Sequence, residues 1–160
     1  HNRTKAQPLS AEHPDAFLQA IGIMNAQGQV KPAMQGKFAQ INEFIKLVEA
    51  TGELDNFGHT PINVLDFGCG SSYLTFGLYT YLNERRGLPA RLVGVDSNTE
   101  LIAKCNAQAA ALEYGDLCFT AAPIIAAAAV STTGRERRTV ASTMAVDASS
   151  TLAPPATRMP

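Results

Sequence analysis

No tryptophan occurs in this 160-residue chain, and no aromatic residue follows Phe119; all seven Phe and four Tyr lie between Phe17 and Phe119. Lys and Asn are also missing after Thr120, where 21 of the last 40 residues are Ala, Ser or Thr. Such a segment has too little bulky apolar surface to offset its ordering entropy. Residues 121–160 are therefore expected to be a disordered or non-native tail, with Ala121 to Val130 docking as a short helix. Cysteine is scarce as well. Cys69, Cys105 and Cys118 form no C-x-x-C pair, which argues against a zinc site or a disulfide partner and makes a reducing cytoplasm the expected location. His13 and His59 lie near Pro14 and Pro61 in expected loops without partner ligands, so no metal is expected.

An excess of either charge is missing too. Thirteen Lys and Arg against fourteen Asp and Glu give a net charge of −1, and the isoelectric point is near 6.3. The clustered basic charge of a nucleic-acid binder is not present. The longest apolar run, Ala121 to Val130, is about half of a membrane span, and no secretory signal pattern is visible. The chain starts at His1 without an initiator Met, as a fragment or processed product would. Its length suits one domain with its own core.

What is present is concentrated between residues 62 and 112. Ile62 to Phe67 is short, rich in β-branched and aromatic residues, and preceded by Pro61, so it reads as a buried parallel strand. From Ser71, Leu74, Leu78, Tyr81 and Leu82 recur at helical spacing, predicting an amphipathic helix that ends near Gly87-Leu88-Pro89. Gly68 and Gly70 thus fall where strand turns into helix, where a missing Cβ lets a ligand approach the backbone. Unpaired N–H groups at the helix start suit an anionic ligand group. A second strand, Leu92 to Val95, ends in Asp96. Ser97-Asn98-Thr99-Glu100 then reads as a capping box opening a helix with Leu101, Ile102, Cys105, Ala109 and Leu112 on one face.

Two βα units with an acid at each strand end describe a nucleotide-cofactor half-site. A dinucleotide site would need G-x-G-x-x-G, but the third position is Tyr73 and Gly77 comes too late. Asp66-x-Gly68-x-Gly70 instead resembles the first motif of class I S-adenosylmethionine-dependent methyltransferases. The run Asp66-Phe67-Gly68-Cys69-Gly70-Ser71-Ser72-Tyr73-Leu74-Thr75-Phe76 is similar to the D-F-G-C-G-K-S-Y-L-T-F run of one group of methyltransferase-domain proteins, which includes a tRNA 2′-O-methyltransferase. Phe17 to Met24 and Lys37 to Ile45 resemble the segment preceding that motif, so the resemblance covers about residues 17–120. Ser71 departs from it, standing where the group has lysine.

The resemblance implies an α/β, Rossmann-like three-layer fold and S-adenosyl-L-methionine as cofactor. Asp66, Gly68, Cys69, Gly70, Ser71, Asp96 and Ser97 would form its site, with Asp66 near the methionine ammonium and Asp96 on the ribose hydroxyls. The methyl acceptor and catalytic base stay unassigned, with RNA among the acceptors left open. An inactive cofactor-binding fragment and an NAD-binding oxidoreductase domain are the alternatives. Only three strands are recognisable (Ile62–Phe67, Arg91–Asp96, Leu117–Thr120), so the fold is expected to be truncated after the third, with residues 1–16 a polar N-terminal segment.

The remaining candidates are read more plainly. Asp116 is expected as a turn residue, and Cys69 as a small loop residue with nothing to activate it. Arg85 and Arg86 are expected to form a solvated helix end. The helix Lys37 to Ala50, with the stripe Phe38, Ile41, Phe44, Ile45 and Val48, reads first as one packed on the sheet; in its functional reading Lys37 and Gln40, on the first turn, face the cofactor mouth. Ala153-Pro154-Pro155-Ala156 lacks the amide and aromatic of an amino-methylase loop.

Overall fold

Three strands appear within a residue or two of where the hydrophobic runs put them: β1 (Ile62–Phe67), β2 (Ala90–Asp96) and β3 (Leu117–Ala121). They belong to a computed structural model that describes residues 7–123 and the backbone of residues 139–142. Helices α1 (Ala16–Ala20) and α2 (Gln35–Ala50) precede β1, α3 (Tyr73–Thr80) joins β1 to β2, and α4 (Thr99–Ala111) joins β2 to β3. The arrangement is α/β and Rossmann-like.

The sheet contains a fourth strand that the sequence did not reveal. β4 (Thr139–Ser142) pairs in parallel with β1, from Asn63 opposite Thr139 to Asp66 opposite Ser142, giving the order β3-β2-β1-β4. The expectation of three strands is corrected on this point. A four-residue strand in an Ala/Ser/Thr-rich segment carries no periodic signal, and its pairing uses backbone groups that every residue has. The rest of the expected tail, residues 124–138 and 143–160, lies outside the described residues, as does the Pro154-Pro155 pair. The strand order reverses beside β1, and in open parallel sheets ligands bind outside the carboxyl ends of the strands at such a reversal.

One face of the sheet is filled by the helices. Val64, Leu92 and Leu117 are in register across the three strands and are buried. Farther along, Asp66, Gly94 and Phe119 are in register, and the Phe119 ring packs 5.3 Å from that of Phe76 on α3. A Cβ on Gly94 would stand 2.4 Å from Phe119 Cδ1 and 3.0 Å from Cys69 Sγ, so this position has room only for hydrogen.

Two helices differ from expectation. The α3 segment is not amphipathic: every residue from Thr75 to Leu82 is buried, because α3 lies between the sheet and α2. Gly77 makes that approach close, since a Cβ there would meet Ile41 Cγ2 at 2.4 Å. Helix α4 is capped by Asn98, whose Oδ1 accepts from the N–H groups of Glu100 and Leu101 at 3.1 Å each. Ser97 is exposed and is not the cap. The asparagine wins because Asp96 Oδ1 accepts the Asn98 N–H at 2.9 Å and fixes its backbone.

Packing also begins earlier than residue 17. Leu9 is 1% exposed, and its N–H donates to the buried Asn42 Oδ1 at 2.8 Å. Arg85 and Arg86 are held more firmly than a solvated helix end. Arg85 pairs with Asp15 at 2.6 Å, and Arg86 pairs with Glu49 at 3.0 Å and Asp55 at 3.3 Å. Among the described residues, no helix is long and apolar enough to cross a membrane, and the three cysteines are free thiols.

Candidate functional site

The β1–α3 turn is held in shape by its backbone. The N–H groups of Gly68 and Cys69 both donate to the Val95 carbonyl, at 2.7 and 3.1 Å, tying the loop to β2. Gly68 and Gly70 have φ of +75° and +51°, a region that side chains rarely occupy. Nothing lies within 4 Å of where a Gly70 Cβ would stand, so that glycine answers to conformation and leaves open space. Ser72 also takes a left-handed conformation (φ +58°) as it starts α3. It is buried, and its hydroxyl donates to the Gly70 carbonyl at 3.3 Å. The Cys105 thiol on α4 donates to Ser72 Oγ at 3.4 Å.

The two acids meet at opposite sides of this loop. Asp96 Oδ2 accepts the Gly70 N–H at 2.9 Å while Oδ1 takes Asn98, so one carboxylate organises both the loop and the start of α4. Asp66, half-buried, accepts from the Thr75 hydroxyl at 2.5 Å. Burial raises the Asp66 carboxyl above its ordinary pKa; the Thr75 bond partly offsets this, and the nearby charge of Asp96 adds to it. None of the ion pairs among the described residues reaches Asp66. A desolvated carboxylate whose side-chain hydrogen bond, among the described residues, comes only from a hydroxyl favours a cationic ligand group.

Asp66, Gly68, Cys69 and Ser71 line one cavity of about 430 Å³, together with Lys37, Gln40 and Phe44 of α2 and Tyr73, Leu74 and Thr75 of α3. Gly70, Asp96 and Ser97 are not among its lining residues; Asp96 reaches the loop from the β2 side. The cavity sits at the carboxyl end of β1, next to the strand-order reversal. Lys37 and Gln40 face this mouth. Asp116 is an exposed turn residue that pairs with Arg91 at 3.2 Å. The Cys69 thiol is pushed up to about 11, chiefly by burial, which makes it a poor nucleophile. Among the described residues, no group of His, Cys, Asp and Glu could hold a metal ion.

A family model described as "Methyltransferase domain" matches residues 36–155. The chain belongs to the methyltransferase-domain family. No curated protein matches it. Among solved structures, this methyltransferase domain is similar to the bifunctional kinase-methyltransferase WbdD, at 27% identity over 60% of this chain and 18% of that one, with a TM-score of 0.41. It is also similar to coclaurine N-methyltransferase bound to N-methylheliamine and SAH, at 13% identity over 70% and 30%, with a TM-score of 0.42. A SAM-dependent methyltransferase from Aquifex aeolicus matches at 18% identity over 46% and 37%, with a TM-score of 0.34. The chain thus spans between about a fifth and two fifths of the length of these proteins.

Three residues of this candidate site were not singled out for a role from sequence. Thr75 holds Asp66, Ser72 braces the glycine loop, and Gly94 makes room for Cys69 and Phe119. Thr75 and Ser72 lie inside the motif run, so their position was visible while their partners were not. Gly94, in the middle of a strand, carries the one available signal: an interior strand glycine marks a close approach.

Proposed function

We propose that this domain binds S-adenosylmethionine across the carboxyl ends of β1 and β2 and transfers its methyl group by direct displacement. The observation that carries the reading is the pair of acids on the glycine loop: Asp66 desolvated and outside every ion pair among the described residues, and Asp96 fixing the Gly70 N–H. The residues present fit the cofactor. Asp66 suits an ammonium, the left-handed Gly68 and Gly70 leave the backbone approachable, and Asp96 retains acceptor capacity for ribose hydroxyls. Cys69, Ser71 and Ser97 complete the proposed site.

When bound, the cofactor supplies an electrophilic sulfonium methyl group. The chain's own contribution is to orient it: Asp66 and Asp96 anchor two ends of one ligand, and the cavity walls from α2 and α3 exclude water around the tail. Alignment of this kind is the main catalytic lever for a displacement that needs no covalent intermediate. The acceptor is left open by these residues; the motif's resemblance to a group with a tRNA 2′-O-methyltransferase favours an RNA hydroxyl, against the chain's net charge of −1.

Calorimetric titration of S-adenosylhomocysteine tests the reading. We expect micromolar binding that Asp96→Ala weakens tenfold or more, about 1.4 kcal/mol. A cooperatively folded chain that releases no heat would overturn it. Binding without methyl transfer to any acceptor would instead identify a cofactor-binding domain that lacks its acceptor half.

A further inference from the structure

Lys37 and Asp66 bring opposite charges to one cavity. Asp66 comes from the end of β1 and Lys37 from the first turn of α2. Ion pairs among the described residues use Lys46, Arg85, Arg86 and Arg91 as their cations, and none uses Lys37. Its ammonium instead donates to the neutral Oε1 of Gln40 at 2.8 Å and stands 5.5 Å from the centroid of the Tyr73 ring. Lys37 is half-buried, so its position is set by these two neighbours.

An ammonium carries three donors and this one spends one on Gln40. Gln40, three residues along and on the same helix face, keeps its amide N–H groups for a ligand. Ser71 at the rim of the same cavity offers a hydroxyl and no charge. The chain therefore places a cation on the α2 wall, not on the glycine loop.

We propose that Lys37, assisted by Gln40, receives the α-carboxylate of the cofactor's amino-acid tail while Asp66 receives its ammonium, so that the cavity selects a zwitterion; this rests on the S-adenosylmethionine reading above. The physical reason is desolvation. A ligand with both charges enters a partly dry cavity well only if each finds its partner there, because an unpaired charge loses its hydration for nothing. A ligand that keeps the ammonium but lacks the carboxylate leaves Lys37 uncompensated. Lys37 is then a specificity-determining residue, and removing it should abolish the discrimination without abolishing recognition of the adenosine.

The test is calorimetric titration of two ligands, S-adenosylhomocysteine and its decarboxylated aminopropyl analogue, into the full chain and into Lys37→Met and Lys37→Arg, each first shown to unfold cooperatively. The wild type should prefer S-adenosylhomocysteine at least tenfold. Lys37→Met should weaken that ligand about tenfold, leave the analogue within about twofold, and so erase the preference; Lys37→Arg should keep most of it. Equal affinity of the wild type for both ligands would overturn the proposal, and this comparison needs no variant to fold. Equal weakening of both ligands by Lys37→Met, or none, would overturn it too while leaving the cofactor reading intact. A wild type that binds neither ligand would remove the cofactor reading and the proposal together.

Discussion

At its N-terminal end α3 emerges from a left-handed Ser72, beside a desolvated Asp66 that has a hydroxyl partner and, among the described residues, no cation. At its C-terminal end the same helix widens into a π turn (Tyr81–Arg85), where Arg85 and Arg86 are matched by Asp15, Glu49 and Asp55 from three other elements. The Tyr81 hydroxyl also donates to Glu49. One end pairs its charges within the chain; the other holds a carboxylate that no cation among the described residues reaches. An end that is internally satisfied contributes to stability, whereas an unbalanced end is strained by desolvation and is available to a ligand.

Removing the helix core that both ends share should have the largest effect. Phe76 is fully buried against Phe119, and Phe76→Ala is expected to cost about 3–5 kcal/mol, read as a lowered midpoint of chemical unfolding. Gly94→Ala acts at the ligand end alone. Its Cβ would displace Phe119 and Cys69, costing about 1–3 kcal/mol by overpacking and abolishing calorimetric binding of S-adenosylhomocysteine. Retained binding at full affinity would show that the loop does not depend on this packing.

Asp66→Asn separates function from stability. It keeps an acceptor for Thr75 while removing the desolvated charge, so affinity should fall about tenfold, or 1.4 kcal/mol, with the melting temperature unchanged or raised. A lowered melting temperature would contradict the account of this end. Its pH dependence follows from the raised pKa. The folded chain holds the Asp66 proton more tightly than the unfolded chain does. The associated stability is therefore full below the ordinary carboxylate pKa and is lost as pH rises through the folded value. Affinity for a cationic tail runs the other way, falling as pH drops through that raised value and before ordinary carboxylates titrate; titrations across acidic pH would show it.

The smallest effect is expected at the other end. Arg86→Ala removes two largely exposed ion pairs and should cost no more than about 1 kcal/mol, less at high salt. Ligand affinity should not change. A loss of binding in this variant would mean that the two ends of α3 are coupled.

Much of the βα framework was legible because it depends on short-range patterns. Apolar runs placed β1 at its observed bounds, and the stripe of Phe38, Ile41 and Ile45 placed the buried face of α2. The glycine–acid motif marked the candidate site for the same reason: the turn needs residues without a Cβ, and the acids sit at strand ends. Spacing could not show that Asn98 outcompetes Ser97 as cap, since that depends on Asp96 bonding its N–H. It could not show that α3 is buried on all sides, because the second wall is α2, whose packing through Gly77 is long-range.

By itself the sequence determined the strands β1 to β3, the order of α2 to α4 and the glycine–acid pattern of the loop, since these are written in residues close together along the chain. Only the tertiary structure decided that β4 pairs beside β1, that Thr75 holds Asp66, that Arg86 bridges Glu49 and Asp55, and that Lys37 shares a cavity with Asp66. The physical reason is that pairing, burial and charge balance are properties of groups brought together from distant positions. Local pattern specifies which groups exist; packing specifies which of them meet and which are left for a ligand.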